Sequence, residues 1–149
     1  MSKVTIEKAT ISMVDEVVPL FDAYRQFYGH TSSLTEERKF LTERLSREES
    51  VIFLAFGGTH AVGFAQLYPS FSSLLMSGAW ILNDLFVHPG AREHGVGAML
   101  LAECRKLANE TGAKELSLET MKTNLTAQRL YEASGWKRDE TFYKYYLTV

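Results

Sequence analysis

The chain has 149 residues, 16 basic and 18 acidic, with a formal net charge of −2. That length predicts one domain, residues 1–149, burying roughly 68–70% of its unfolded surface, and near-balanced charge without a long charged run argues against a broad electrostatic partner such as duplex DNA. A single cysteine, Cys104, excludes an intrachain disulfide and fits a reducing compartment.

The start, "MSKVTIEKAT", has no apolar core of signal-peptide length. No stretch approaches the ~20 apolar residues of a membrane span. A cytoplasmic protein with no membrane and no nucleic-acid partner is expected. Val4 to Ala9 alternates as a short first strand, and Ser12 with Asp15 is positioned to cap the next element. Val14, Val17, Val18, Phe21, Tyr24 and Tyr28 then recur at helical spacing. A second helix is predicted from Thr35 to about Ser46, with Phe40, Leu41 and Leu45 facing inward. "VIFLAF" is a strand, Gly57-Gly58 signals a hairpin, and "HAVGFAQLY" pairs back. After the loop "PSFSSLLMSG", "AWILNDLFV" reads as a central strand ended by Pro89. A helix follows from Gly95 to about Glu110, stopped by Gly112. "KELSLET" is another strand, "NLTAQRLYEAS" a helix with Gly135 just past its end, and "TFYKYYLTV" a β-rich close. The order β-α-α-β-β-β-α-β-α-β predicts an α/β (α+β) fold, a mixed sheet with helices on its faces.

Between the central strand and the next helix lie Pro89, Arg92 and Gly90, Gly95 and Gly97. A helix N-terminus offers unpaired N–H groups and the positive end of a dipole, which attract phosphate. Gly95 and Gly97 lack Cβ atoms, so a ligand oxygen can come close to the backbone. Arg92 adds a charge able to grip phosphate bidentately. The turn reads as a cradle for a phosphate-bearing cofactor, or as an ordinary glycine-rich turn. A dinucleotide fingerprint would need glycine at Leu100, and the Gly-Lys-Ser/Thr of a triphosphate loop is absent. Further on, Asn124 and Tyr131 are seven residues apart, within roughly 20° of one another on a helix, with small Ala127 on the same side. Asn124 also reads as an N-cap and Tyr131 as a core aromatic. The histidines, His30, His60, His88 and His94, show no metal-ligand spacing, and no metal is expected.

Together, "REHGVG" (Arg92–Gly97) and "NLTAQRLYEASGW" (Asn124–Trp136) resemble the GNAT superfamily of acetyl-CoA-dependent N-acetyltransferases. The likeness covers nearly the whole chain. "YRQFY", "ILNDLFV" and the tyrosine-rich end look most like the branch of histone, polyamine and D-amino-acid acetyltransferases. The resemblance implies a mostly antiparallel sheet with two splayed parallel strands, flanked by about four helices. It implies acetyl-CoA as co-substrate, its diphosphate on the backbone amides of Arg92, Glu93, His94, Gly95, Val96, Gly97 and Ala98. The pantetheine arm would pair with the main chain of Leu85, Phe86 and Val87, and Asn124, Ala127 and Tyr131 would complete the cofactor side. Tyr131 would be the proton donor to the leaving thiolate. Some relatives carry a glutamate base where this chain has Asn83. That leaves Asn83 and Asp84, turned by a β-bulge or acting through water, for proton removal. The acceptor pocket would involve Tyr24, Tyr28, Tyr68, Asn83 and Tyr143, suited to a cationic amine: a small amine, polyamine, amino acid or lysine side chain. A homodimer paired through the C-terminal segment fits the same resemblance. Asn83 in place of an acid keeps open a non-catalytic acyl-CoA-binding module on this fold, and the cradle keeps open a different phosphate-ligand enzyme.

Overall fold

The computed structural model describes residues 3–149. Its elements are β1 (Val4–Lys8), α1 (Val14–Phe27), α2 (Leu34–Ser46), β2 (Val51–Gly57), β3 (His60–Ser72), β4 (Ser77–Val87), α3 (Val96–Thr111), β5 (Glu115–Ser117) and α4 (Leu125–Ala133). The chain divides into two compact units, one ending at Glu119 and one spanning Thr120–Val149.

In the first unit the five strands lie in chain order, antiparallel from β1 to β4 and parallel between β4 and β5. Consecutive hairpins account for the antiparallel part, and α3 is the crossover that a parallel neighbour requires. Helices α1 and α2 pack their apolar stripes onto Ile52, Leu54, Phe56, Phe64 and Phe86, with Val17 and Leu41 fully buried. Burying a side chain of this size contributes about 1.5–3 kcal/mol. Phe40, expected inward, is exposed, although its ring stacks on Phe21. Helix α3 covers the other face through Val96, Leu100, Leu101, Cys104 and Leu107, all buried. Among the described residues no helix is long and apolar enough to cross a membrane.

Gly63 sets how closely α3 approaches. A Cβ there would meet the Phe86 carbonyl oxygen at 3.1 Å and Val96 Cγ1 at 3.3 Å. Gly63→Ala is therefore expected to cost about 1–2 kcal/mol by overpacking, lowering Tm by roughly 2–8 °C in a thermal melt. An unchanged Tm would show that α3 can move away freely.

Several boundaries differ from the sequence expectation. Ser12 does not cap α1: it lies in a 3-10 turn over Ile11–Met13, bonds the Thr10 hydroxyl at 2.8 Å, and Met13 is the N-cap residue. β3 continues through "PSFS", so the loop before β4 shrinks to residues 73–76. Residues 136–149 contain no strand, which corrects the β-rich reading of "TFYKYYLTV". β-propensity expresses itself only where a ladder partner is available.

Candidate active site

The turn after β4 is built by its own side chains. His88 Nδ1 accepts from the Gly90 N–H at 3.1 Å, and Pro89–Ala91 form one 3-10 turn. Arg92 Nε donates to the Val87 carbonyl at 2.9 Å, and its guanidinium lies 5.6 Å over the Phe86 ring. These two contacts tie Arg92 to the end of β4. Glu93 and Gly95 both take left-handed backbone, φ 67° and 76°. Glycine adopts that at little cost, whereas Glu93 stores roughly 1–3 kcal/mol of strain there. Gly95 is the N-cap of α3, no side chain caps the helix, and the first turn carries no acidic residue. The opening N–H groups, which cannot find acceptors within the helix, are thus unneutralised by any side-chain oxygen. Such a turn fits an anion.

Beside it the sheet parts. The parallel ladder joins Ala79, Trp80 and Ile81 to Glu115, Leu116 and Ser117 and stops, while β4 runs on to Val87. Leu85, Phe86 and Val87 keep β3 on one side only. On the other side no strand pairs with them among the described residues, and Arg92 takes the Val87 carbonyl; a strand edge left open in this way presents N–H and C=O groups as a template for an extended ligand.

The α1 side of β4 holds the polar cluster. A bulge interrupts the β3–β4 register: Gln66 faces Asp84, the next residue Leu67 faces Leu82, and Asn83 is the extra residue. Directly opposed residues share a face, and Gln66 and Leu67 point to opposite faces. The bulge therefore turns Asp84 away from the face of Leu82 and toward α1. Asp84 is 2% exposed. Its oxygens accept from Gln66 Nε2 at 2.6 Å and Asn83 Nδ2 at 2.7 Å. Tyr24 Oη donates to the Asn83 carbonyl at 3.1 Å, and its ring contacts those of Tyr28 (5.2 Å) and Phe64 (5.8 Å). Burial pushes the Asp84 carboxyl above the usual carboxylate range, against the lowering by its hydrogen bonds from Asn83 and Gln66 and by the nearby Tyr24 hydroxyl. Burial, then the Asp84 charge, pushes the Tyr24, Tyr28 and Tyr68 phenols up, so all three are neutral donors at physiological pH. Asn83, Asp84, Tyr24, Tyr28 and Tyr68, expected together from sequence, are all in the first unit, and the last four are coupled through the Asp84 charge. Gln66 was not expected there. Its signal was a lone amide inside the apolar run "GFAQLY".

In the second unit, Asn124 precedes α4 as its N-cap, with Oδ1 accepting from the Ala127 N–H at 3.1 Å. Tyr131 is near the end of the helix, its ring centroid 6.3 Å from that of Trp136. Because Asn124 is a cap rather than a helical position, the seven-residue spacing places the two on one face only approximately. Tyr143 is exposed within the strandless C-terminal segment.

Cys104 belongs to the core under α3, where burial pushes its thiol up to about 12. At that value it is no nucleophile at neutral pH. Among the described residues no three His, Cys, Asp or Glu side chains gather as a metal site would require.

The mixed α/β fold is shared with acetyltransferases of known structure. A crystal structure of a probable acetyltransferase superposes with TM-score 0.92 at 43% identity, covering 97% of both chains. The profile of the acetyltransferase (GNAT) family matches residues 15–136, and the chain belongs to that family. It is 44% identical over 144 residues to the uncharacterized N-acetyltransferase YhfO of Bacillus subtilis (strain 168), covering 97% of each. It is 31% identical over 125 residues to a probable acetyltransferase of Haemophilus influenzae, covering 83% of this chain and 84% of that one.

Proposed function

We propose that the chain is an acetyl-CoA-dependent N-acetyltransferase acting on a primary amine, whether a small amine, a polyamine, an amino acid or a lysine side chain, by direct attack in a ternary complex. One observation carries the reading: the bulge at Asn83 turns a buried carboxylate toward the α1 face at the point where the other edge of β4 leaves its parallel neighbour. Acetyl-CoA, when bound, supplies an acetyl thioester with a thiolate leaving group. The backbone amides from Arg92 to Ala98 hold its diphosphate, and Leu85, Phe86 and Val87 hold its pantetheine arm. Asn124 contributes its amide and Ala127 a small surface.

An alkylammonium has a pKa near ~10.4 and must lose a proton before it can attack. Asp84 takes that proton, directly or through water held at Asn83. Its raised value brings it closer to neutrality, where a general base is most effective. Tyr24, Tyr28 and Tyr68 offer aromatic faces and neutral hydroxyls to the cation. Tyr131 donates a proton to the departing sulfur.

The test is thiol release from acetyl-CoA over a panel of amines, followed by the pH dependence of kcat/KM for the best acceptor. Turnover with a primary amine is expected. Since the ionised form of Asp84 is the active one, kcat/KM falls as pH drops through its raised value, so the acid limb lies above the usual carboxylate range. A limb at the ordinary carboxylate position would remove Asp84 from the role. A second reading, a non-catalytic acyl-CoA-binding module, is favoured by Asn83 standing where some relatives carry an acid; tight CoA binding without transfer to any amine would select it.

A further inference from the structure

Gln66 is fully buried, 0% exposed, in the middle of β3 and directly opposite Asp84. Its Nε2 donates to Asp84 Oδ2 at 2.6 Å. Its Oε1 is buried and has no hydrogen-bond partner among the described residues. An orphaned acceptor in a core costs free energy that an apolar residue of the same size would avoid. The other groups around Asp84 are hydrogen-bond donors or phenols: Asn83 from β4, Tyr24 from α1, Tyr28 at its end, and Tyr68 from β3. This set suits an ionised carboxylate, which only accepts. A protonated carboxyl also needs an acceptor for its O–H. The unused oxygen of Gln66, on the same amide that already reaches Asp84, is such an acceptor.

We propose that Gln66 is the positioning residue of this site: its amide donates to Asp84 while that carboxylate is ionised, and turns over to accept from it once the carboxylate has taken the acceptor's proton. The inference rests on the reading of Asp84 as base. In the step, one N–H bond of the substrate ammonium breaks, an O–H bond forms at Asp84 Oδ2, and the electron pair of the broken bond stays on nitrogen for attack. The new hydroxyl hydrogen-bonds to Gln66 Oε1. The proton passes to solvent once product has left, and no other reactant is needed. The terminal amide torsion of glutamine is broad and roughly two-fold, so the turn-over needs no backbone movement.

The test compares four full-length chains: wild type, Asp84→Asn, Gln66→Met and the double variant. Asp84→Asn sets a second amide against Gln66, so that each amide can donate to the other and the orphaned oxygen gains a donor. It also removes a buried charge. At pH 7–8 its Tm is expected to rise by at least ~3 °C, while kcat/KM falls about 10²–10⁴-fold. In the Gln66→Met background the amide pairing is lost and only the removal of the buried charge remains, so the Tm gain should differ from that in the native chain. Gln66→Met alone removes a donor to the carboxylate, so the acid limb of kcat/KM moves to higher pH. A merely structural glutamine would leave that limb in place. An equal Tm gain in both backgrounds, or an unmoved limb, overturns the proposal. Should Gln66→Met not fold, a flat or lower Tm for Asp84→Asn in the otherwise native chain does the same. If Asp84→Asn keeps full turnover, the base reading fails instead, so the two failures are distinguishable.

Discussion

Replacing Tyr131 with phenylalanine is expected to cut turnover about 10²–10⁴-fold, the usual worth of a positioned proton donor, with little change in acetyl-CoA affinity. The substitution removes one hydroxyl and keeps the ring, so the packing of that ring near Trp136 is retained. A phenol's reference pKa is ~10. The phenol can donate to a sulfur whose conjugate thiol has a pKa near ~8.5. The effect should therefore fall on kcat, the signature of an interaction made mainly in the transition state. Steady-state thiol release alongside equilibrium CoA titration separates the two quantities. Equal turnover in wild type and Tyr131→Phe would remove Tyr131 from the chemistry. Equal losses of kcat and binding would make it a structural residue of α4.

The second large effect concerns the start of α3. Gly97→Val puts a branched side chain into a first turn whose amides have no side-chain cap. Gly97 has no left-handed backbone, so valine fits the helix there, with a helix propensity no worse than that of the glycine it replaces. Its methyl groups keep an anion away from the N–H groups. If two charge-assisted bonds of ~1.5–3 kcal/mol each are lost, CoA affinity falls by at least about 10²-fold. Gly95→Val adds backbone strain, because φ there is 76° and a side chain with a Cβ disfavours it. Weakened CoA binding with a nearly native melt for Gly97→Val is the expected pair of results. Unchanged binding would show that the turn is only a loop.

Elements written in local chemistry were legible in the sequence. The helix after the turn begins beside Gly95 and ends at Gly112, a left-handed cap at φ 73°, because glycine marks both positions without help from the rest of the chain. The glycine-rich turn before α3 and the helical spacing of Tyr24 were legible from local pattern as well. What failed was set by tertiary context. "KELSLET" alternates from Glu115 to Glu119, yet only Glu115–Ser117 pair, the ladder with β4 ending at Ile81. "TFYKYYLTV" has the composition of a strand and forms none. The face of Asp84 could not be read from alternation, since one bulge residue inverts the phase of β4. Gln66 passed as a mid-strand residue because its partner is eighteen positions away. Gly63 passed as well, since its reason is the approach of α3.

The most direct measurement is calorimetric titration of the wild-type chain and of Gly97→Val with CoA and with pantetheine, which lacks the diphosphate. If the amides opening α3 hold the diphosphate, the wild type binds CoA at least ~10²-fold more tightly than pantetheine, and Gly97→Val loses most of that difference while its pantetheine affinity stays the same. A preference for CoA that survives intact in Gly97→Val would place the diphosphate elsewhere and contradict the assignment of this turn.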